Sequence, residues 1–186
     1  MSAHFERILG GLDVAPLLAE LEAAPDLWDM VDLRRTAPNS PHREMVDIWL
    51  RYRAWDEIAE RPASGLEPHD SVWYPAALRL PQCVVMCESI AVSVNADALG
   101  GCLITKLPPG GQIYPHIDTG WHRDFYNYKA YIALESNEGC CNWFEDEAFI
   151  MDPGEAWRFE NGVTHSMKNM GETDRISLIV SMKADG

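Results

Sequence analysis

The chain predicts a mainly β protein with flanking helices, built as a double-stranded β-helix, or jelly roll, of two packed sheets. Three observations carry this. Eight short strand-like runs follow one another after Gly100, separated by turn residues. The strongest helical periodicity lies before them, which leaves helices to pack outside the strands. No internal repeat, low-complexity segment or change of composition divides the chain, so residues 1–186 read as one domain. Within it, residues 1–100 form a helical and irregular part packing on the barrel, and residues 101–186 supply its strands.

In chain order, Asp13 to Ala24 reads as a short amphipathic helix with Asp13 able to cap, and Leu17, Leu18 and Leu21 on one face. Pro25 ends it. Residues 32–44 are polar with Pro38 and Pro41, a loop, and Met45 to Tyr52 alternates as a strand should. The stretch to Tyr74, with Pro62, Gly65 and Pro68, reads as irregular, either a lid or a surface loop. Pro81 to Val94 is the best helix, because Pro suits a first turn and Val84, Val85, Ile90, Ala91 and Val94 make a buried stripe. Asp97 to Gly101 closes it. The strand runs are then Cys102 to Leu107, Ile113 to Asp118, Tyr128 to Glu135, Cys141 to Phe144, Glu147 to Met151, Ala156 to Phe159, Val163 to Asn169 and Asp174 to Lys183.

A formal charge of −14 argues against a nucleic-acid backbone or an anionic membrane as partner, since both demand clustered Lys and Arg. Five cysteines, Cys83, Cys87, Cys102, Cys140 and Cys141, make an odd set with an adjacent pair, which suits free thiols and a reducing, cytoplasmic setting. They lack the paired Cys-x-x-Cys spacing of a zinc knuckle. The N-terminus has no basic region followed by an apolar run, and no stretch is apolar for long enough to span a bilayer.

Chemistry concentrates in His116-Ile117-Asp118, which follows the turn Pro108-Pro109-Gly110-Gly111. Residues two apart on a strand share a face, so Tyr114, His116 and Asp118 are expected to point one way and Ile113, Pro115 and Ile117 the other. A mononuclear Fe(II) site needs two imidazoles and one carboxylate on one side of the metal. His-x-acid pairs also occur at His4-Phe5-Glu6, His42-Arg43-Glu44 and His122-Arg123-Asp124, so the motif alone proves little. Context distinguishes His116 and Asp118: a distal segment, Gly154 to Asn169, supplies His165, and ten residues later comes Arg175. In the alternating run from Asp174 to Met182, Arg175 sits with Ser177, opposite Ile176, Leu178, Val180 and Met182. The bland readings are a surface strand pair for His116 and Asp118, a salt bridge to Asp174 for Arg175, an ordinary β-branched strand residue for Thr105 and a solvated strand lysine for Lys129.

These residues resemble the aspartyl/asparaginyl β-hydroxylase family of Fe(II)- and 2-oxoglutarate-dependent dioxygenases, within the cupin-like jelly rolls. The resemblance covers Cys102 to the C-terminus. It rests on the Pro-Gly-Gly-x-Ile-x-Pro-His turn, the Gly-x-x-Trp-x-Phe-x-Asn segment leading to His165, and Asp174-Arg175 opening the last strand. It implies Fe(II) on His116, Asp118 and His165, with Arg175 and Thr105 holding the distal carboxylate of 2-oxoglutarate. Where the family commonly carries Arg-x-His, this chain has Lys129-Ala130-Tyr131, which leaves Lys129 as the group for the C1 carboxylate or the substrate. Retention of Asp118 favours hydroxylation over halogenation. The expected activity is hydroxylation of an unactivated C–H bond in an amino acid or peptide side chain, releasing succinate and CO2. The Arg34, Arg35, Arg51 and Arg53 cluster is one place to recognise a substrate carboxylate. The alternative is a metal-binding cupin, an isomerase or ligand-binding module, without 2-oxoglutarate chemistry; it leaves Arg175 and Thr105 without work.

Overall fold

The computed structural model describes residues 4–184. Its elements are β1 (Phe5–Leu9), α1 (Ala15–Ala23), α2 (Leu33–Thr36), β2 (Val46–Tyr52), α3 (Trp55–Glu60), β3 (Val72–Trp73), α4 (Pro75–Arg79), α5 (Pro81–Ser93), β4 (Ala98–Leu107), β5 (Gln112–His116), α6 (Trp121–Phe125), β6 (Tyr128–Glu135), β7 (Cys140–Phe144), β8 (Glu147–Ile150), β9 (Ala156–Phe159), β10 (His165–Asn169) and β11 (Arg175–Lys183). The strands form a seven-stranded sheet, β1-β9-β6-β11-β4-β2-β3, and a four-stranded sheet, β5-β10-β7-β8. All pairings are antiparallel. This is the jelly roll the strand runs predicted.

The larger sheet works with both faces, and its central strand β11 shows why. Every residue from Arg175 to Met182 is buried. Ile176, Leu178, Val180 and Met182 turn outward into a core completed by Ile48, Leu50, Ile104 and Ile132 from neighbouring strands and by Leu17, Leu21, Leu80, Cys87 and Ile90 from the helices. Fully burying each such side chain contributes about 1.5–3 kcal/mol. The alternate residues Arg175, Ser177, Ile179 and Ser181 turn inward, between the sheets. Cross-strand register continues that inner face: Ser177 lies beside Thr105 and Thr105 beside Asp47, while Ile179 lies between Leu103 and Tyr131. The helices therefore seal the outer face, and the inner face is free to carry polar groups.

Several expectations need correction. The strand β1 was not read, because Phe5–Leu9 pairs with β9 and its alternation is weak. The segment after Tyr52 is ordered as α3, a 3-10 turn at Pro62–Leu66 and the short β3. The loop expected over 32–44 contains α2. The segment taken to close the long helix instead opens β4 at Ala98. Helix α6 went unread: it has only five residues, too few for a periodic signal. As expected, all five cysteines are free thiols. No helix among the described residues is long and apolar enough to cross a membrane.

Candidate active site

The smaller sheet brings the two histidines together. In the β5–β10 pair His116 stands directly opposite His165, with ring centroids 4.2 Å apart. The expected alternation along β5 fails at one point. The register slips between His165 and Met167, whose partner is Ile113, so Ile113 and His116 both line the inner cavity and Tyr114 is turned away. A bulge of this kind resets a period-two pattern. Tyr114 instead donates its hydroxyl to Glu44 and lies under the Arg43 guanidinium. Asp118 comes after the strand has ended, and its N–H donates to the Asn161 carbonyl at 2.9 Å. The preceding turn depends on Gly110, whose φ of 78° favours glycine.

Ligand atoms of His116, Asp118 and His165 lie within 4.8 Å of one another. Both imidazoles are oriented by backbone: Nδ1–H of His116 donates to the Tyr114 carbonyl at 2.8 Å, and Nδ1–H of His165 to the Val163 carbonyl at 3.0 Å. Each ring thereby presents the Nε2 lone pair inward, the tautomer a metal requires. Nε2 of His116 is buried without a hydrogen-bond partner and lies 3.4 Å from Asp118 Oδ1. A lone pair facing a carboxylate oxygen is an arrangement that a cation resolves. Burial pushes the His165 pKa down to about 4, so its lone pair is available at neutral pH. Burial opposes ionisation of Asp118, but the Lys129 ammonium beside it outweighs burial and holds the carboxyl below the usual range. The donor set fits Fe(II).

Two cavities share Asp118 and Lys129 in their walls. The smaller, about 40 Å³, runs from the histidines and Asp118 to Arg175, with Tyr131, Asn142 and Phe144 along it. The larger, about 680 Å³, is also lined by Asp118 and Lys129. Residues Ile58, Pro62, Gly65 and Leu66 wall it, so the stretch between Tyr52 and Tyr74 borders the larger cavity.

Arg175 is 4% exposed and donates to Asn142 Oδ1 at 3.3 Å. Among the described residues it has no carboxylate partner, and the surface bridge to Asp174 does not form. Burial pushes its pKa down to about 10. A buried guanidinium with one neutral acceptor is costly unless an anion joins it. Thr105 is buried on the same inner face, one strand away, but does not line the smaller cavity. Lys129 is not a solvated lysine: its Nζ donates to Asp118 Oδ2 at 2.8 Å. Burial disfavours its charge, yet Asp118 more than compensates and raises its pKa.

Sequence reasoning assigned no role to Tyr131, Asn142, Asn161 or His42. Tyr131 was legible, being two residues from Lys129 on β6. Asn161 donates to the Tyr131 hydroxyl at 2.9 Å, and its Nδ2 lies 3.3 Å from His165 Nε2. His42 packs edge-on against His116, with centroids 4.8 Å apart, and burial with Arg34 holds it neutral. Of the arginine cluster only Arg34 reaches the site, through α2, where it pairs with Asp47 at 3.2 Å. Arg35 pairs with Asp29, Arg51 donates to the Leu99 carbonyl, and Arg53 pairs with Glu57.

A jelly roll with a His, Asp, His face beside a buried arginine has the architecture of the Fe(II)- and 2-oxoglutarate-dependent oxygenases. The chain belongs to the aspartyl/asparaginyl beta-hydroxylase family, whose sequence model matches residues 63–184. It is 25% identical over 138 residues to an L-proline cis-4-hydroxylase of Rhizobium meliloti (strain 1021), covering 70% of this chain and 48% of that protein. The chain thus spans about half the length of that curated relative. An oxidoreductase of the 2OG-Fe(II) oxygenase family from Burkholderia pseudomallei has a similar fold, with a TM-score of 0.60 at 14% identity over 98% of this chain and 85% of that one. A Pseudomonas putida prolyl-4-hydroxylase superposes with a TM-score of 0.55 at 14% identity, over 99% and 95% of the two chains.

Proposed function

We propose that the protein is an Fe(II)- and 2-oxoglutarate-dependent hydroxylase acting on an unactivated C–H bond of an amino acid or peptide side chain, with succinate and CO2 released. One observation carries the cosubstrate: Arg175 is buried, cationic and without a carboxylate partner at the far end of the cavity that begins at His116, Asp118 and His165. A diacid chelating at the ligand face by one end would present its other carboxylate to Arg175, whose planar fork matches it. A cupin that only binds metal gives that cation nothing to do. Family membership and the relative's name support hydroxylation of an amino acid.

The residues have distinct tasks in this reading. His116, Asp118 and His165 hold Fe(II), which with 2-oxoglutarate and oxygen supplies the oxidising chemistry. Lys129 keeps Asp118 ionised and oriented, and Asn161 ties Tyr131 to the His165 edge of the site. Phe144 and Phe159 exclude water from the inner cavity, whereas the larger cavity, which shares Asp118, orients the substrate. The test is an anaerobic absorbance titration of the Fe(II) protein with 2-oxoglutarate. A metal-to-ligand band that saturates with ligand, and succinate formation once oxygen and an amino-acid or peptide library are added, are expected. Absence of the band would return the protein to the metal-binding cupin reading.

A further inference from the structure

The charges around the two cavities do not balance. Their walls carry the cations Arg34, Arg123, Lys129 and Arg175 against the carboxylates Asp118 and Glu160. Arg123 and Glu160 are the more exposed of these and pair with each other at 2.8 Å, beside exposed Asp124. Behind the wall, buried Asp47 pairs with Arg34 at 3.2 Å. The buried and half-buried groups are then Arg34, Lys129 and Arg175 against Asp47 and Asp118, an excess of one positive charge in a chain whose formal charge is −14. Fe(II) and a 2-oxoglutarate dianion cancel each other, so loading the site leaves the excess in place. A low-dielectric cleft with an excess of one sign of charge draws a ligand of the other sign.

Geometry selects Arg34 among these cations. Arg175 lines only the smaller cavity, where the distal carboxylate of 2-oxoglutarate matches it, and Lys129 is held by Asp118 at 2.8 Å. Arg34 lines both cavities, and its side chain is 21% exposed where that of Asp47 is 5%. Asp47 engages Nη1, and Nη2 lies 3.2 Å from both ring nitrogens of His42. Nε–H has no partner among the described residues. Arginine offers five N–H donors, so Arg34 can keep Asp47 and still receive a carboxylate. His42 sets the distance: its ring packs edge-on against His116 with centroids 4.8 Å apart, so the guanidinium stands one imidazole away from a metal ligand. Arg34 and Asp47 precede residues 63–184, so the family match assigns them no task. Resting on the hydroxylase reading, we propose that the substrate carries a free carboxylate, as a free amino acid or the C-terminal residue of a peptide does, and that Arg34 binds it beside the metal ligands. Asp47 is then the positioning residue that aims the guanidinium.

The experiment is anaerobic calorimetry on the Fe(II) protein saturated with 2-oxoglutarate, titrated with free amino acids, N-acetyl amino acids and dipeptides, each as the acid and as its carboxamide. At least one acid should bind about tenfold more tightly than its amide, as loss of a charge-assisted hydrogen bond demands, and its identity tells a free amino acid from a peptide C-terminus. Two variants separate ligand binding from a structural ion pair. Asp47→Asn keeps the Arg34 cation and removes a competing carboxylate, so it should bind the acid at least as tightly as the wild type does. Arg34→Gln combined with Asp47→Asn removes both charges, which avoids stranding a buried carboxylate. It should bring acid and amide to within about threefold of each other and leave 2-oxoglutarate affinity within about threefold. The inference is overturned if no acid outbinds its amide, if the double variant keeps the preference, or if it loses 2-oxoglutarate affinity tenfold, which would give Arg34 to the cosubstrate. Should the double variant not fold, Asp47→Asn decides, since loss of the acid preference there also overturns it. Any of these failures in a protein that binds 2-oxoglutarate sinks this inference alone, whereas a wild type that does not bind 2-oxoglutarate sinks the hydroxylase reading.

Discussion

Replacing Arg175 by Met separates the cosubstrate's contribution from that of the fold. In the ligand-free protein the guanidinium is buried against one neutral acceptor, Asn142, and its pKa is already driven down. Met fills comparable volume without a charge to desolvate, and exchanging buried charges for apolar groups is commonly neutral or stabilising. The ligand-free variant should therefore melt at or above the wild-type temperature. With 2-oxoglutarate the order should reverse. A hydrogen bond to a charged group is worth about 1.5–3 kcal/mol, so affinity should fall about ten- to a hundredfold. At a ligand concentration of about 100 Kd the wild type gains about 2.7 kcal/mol of stability, and a variant weakened a hundredfold gains only about 0.4 kcal/mol. Differential scanning fluorimetry with and without 2-oxoglutarate measures both. Thr105→Val should leave affinity within about threefold, because Thr105 shares the inner face but does not line the smaller cavity. Equal affinity in wild type and Arg175→Met, or loss of the metal from the variant, would refute the reasoning.

His165→Ala should abolish tight Fe(II) binding while leaving the sheets intact, read by metal analysis and circular dichroism; full metal content would disprove the triad. Thiol titration should find five free cysteines after denaturation and, in the native state, reaction confined to half-buried Cys141, since Cys83, Cys87, Cys102 and Cys140 are buried and burial pushes the Cys83 thiol up to about 12. His122 titrates near 6.5 when unfolded but at about 3 when folded, so between those values the unfolded chain holds a proton that the native one refuses. The contribution of His122 to stability is thus fully present above about pH 6.5 and should be lost as pH falls, at about 1.4 kcal/mol per pH unit. Denaturant melts of His122→Gln should show a shallower slope over that window, and an unchanged slope would mean that His122 is not buried in its neutral form.

The strands of the barrel were legible because their period-two alternation is a local property. The run from Tyr128 to Glu135 and that from Ala156 to Phe159 coincide with β6 and β9, and the helix at Pro81 ends within one residue of its expected limit. The inward turn of Arg175 also followed from alternation, since β11 has no bulge between Arg175 and Val180 against β4. On β5 the same logic misplaced Tyr114, because the slip opposite β10 is set by pairing with another strand. Asp118 reaches the histidines through a backbone bond to Asn161, which no spacing along its own segment encodes. The histidines, the carboxylate and the arginine were thus identifiable by residue type and order, which depend on neighbours in sequence. Their convergence on two neighbouring cavities was decided by the packing of the sheets. Tertiary structure alone also brought Arg34 on α2, His42, Trp49 and Tyr52 on β2 and His122 on α6 to the cavities, since these groups come from segments whose sequences carry no shared period.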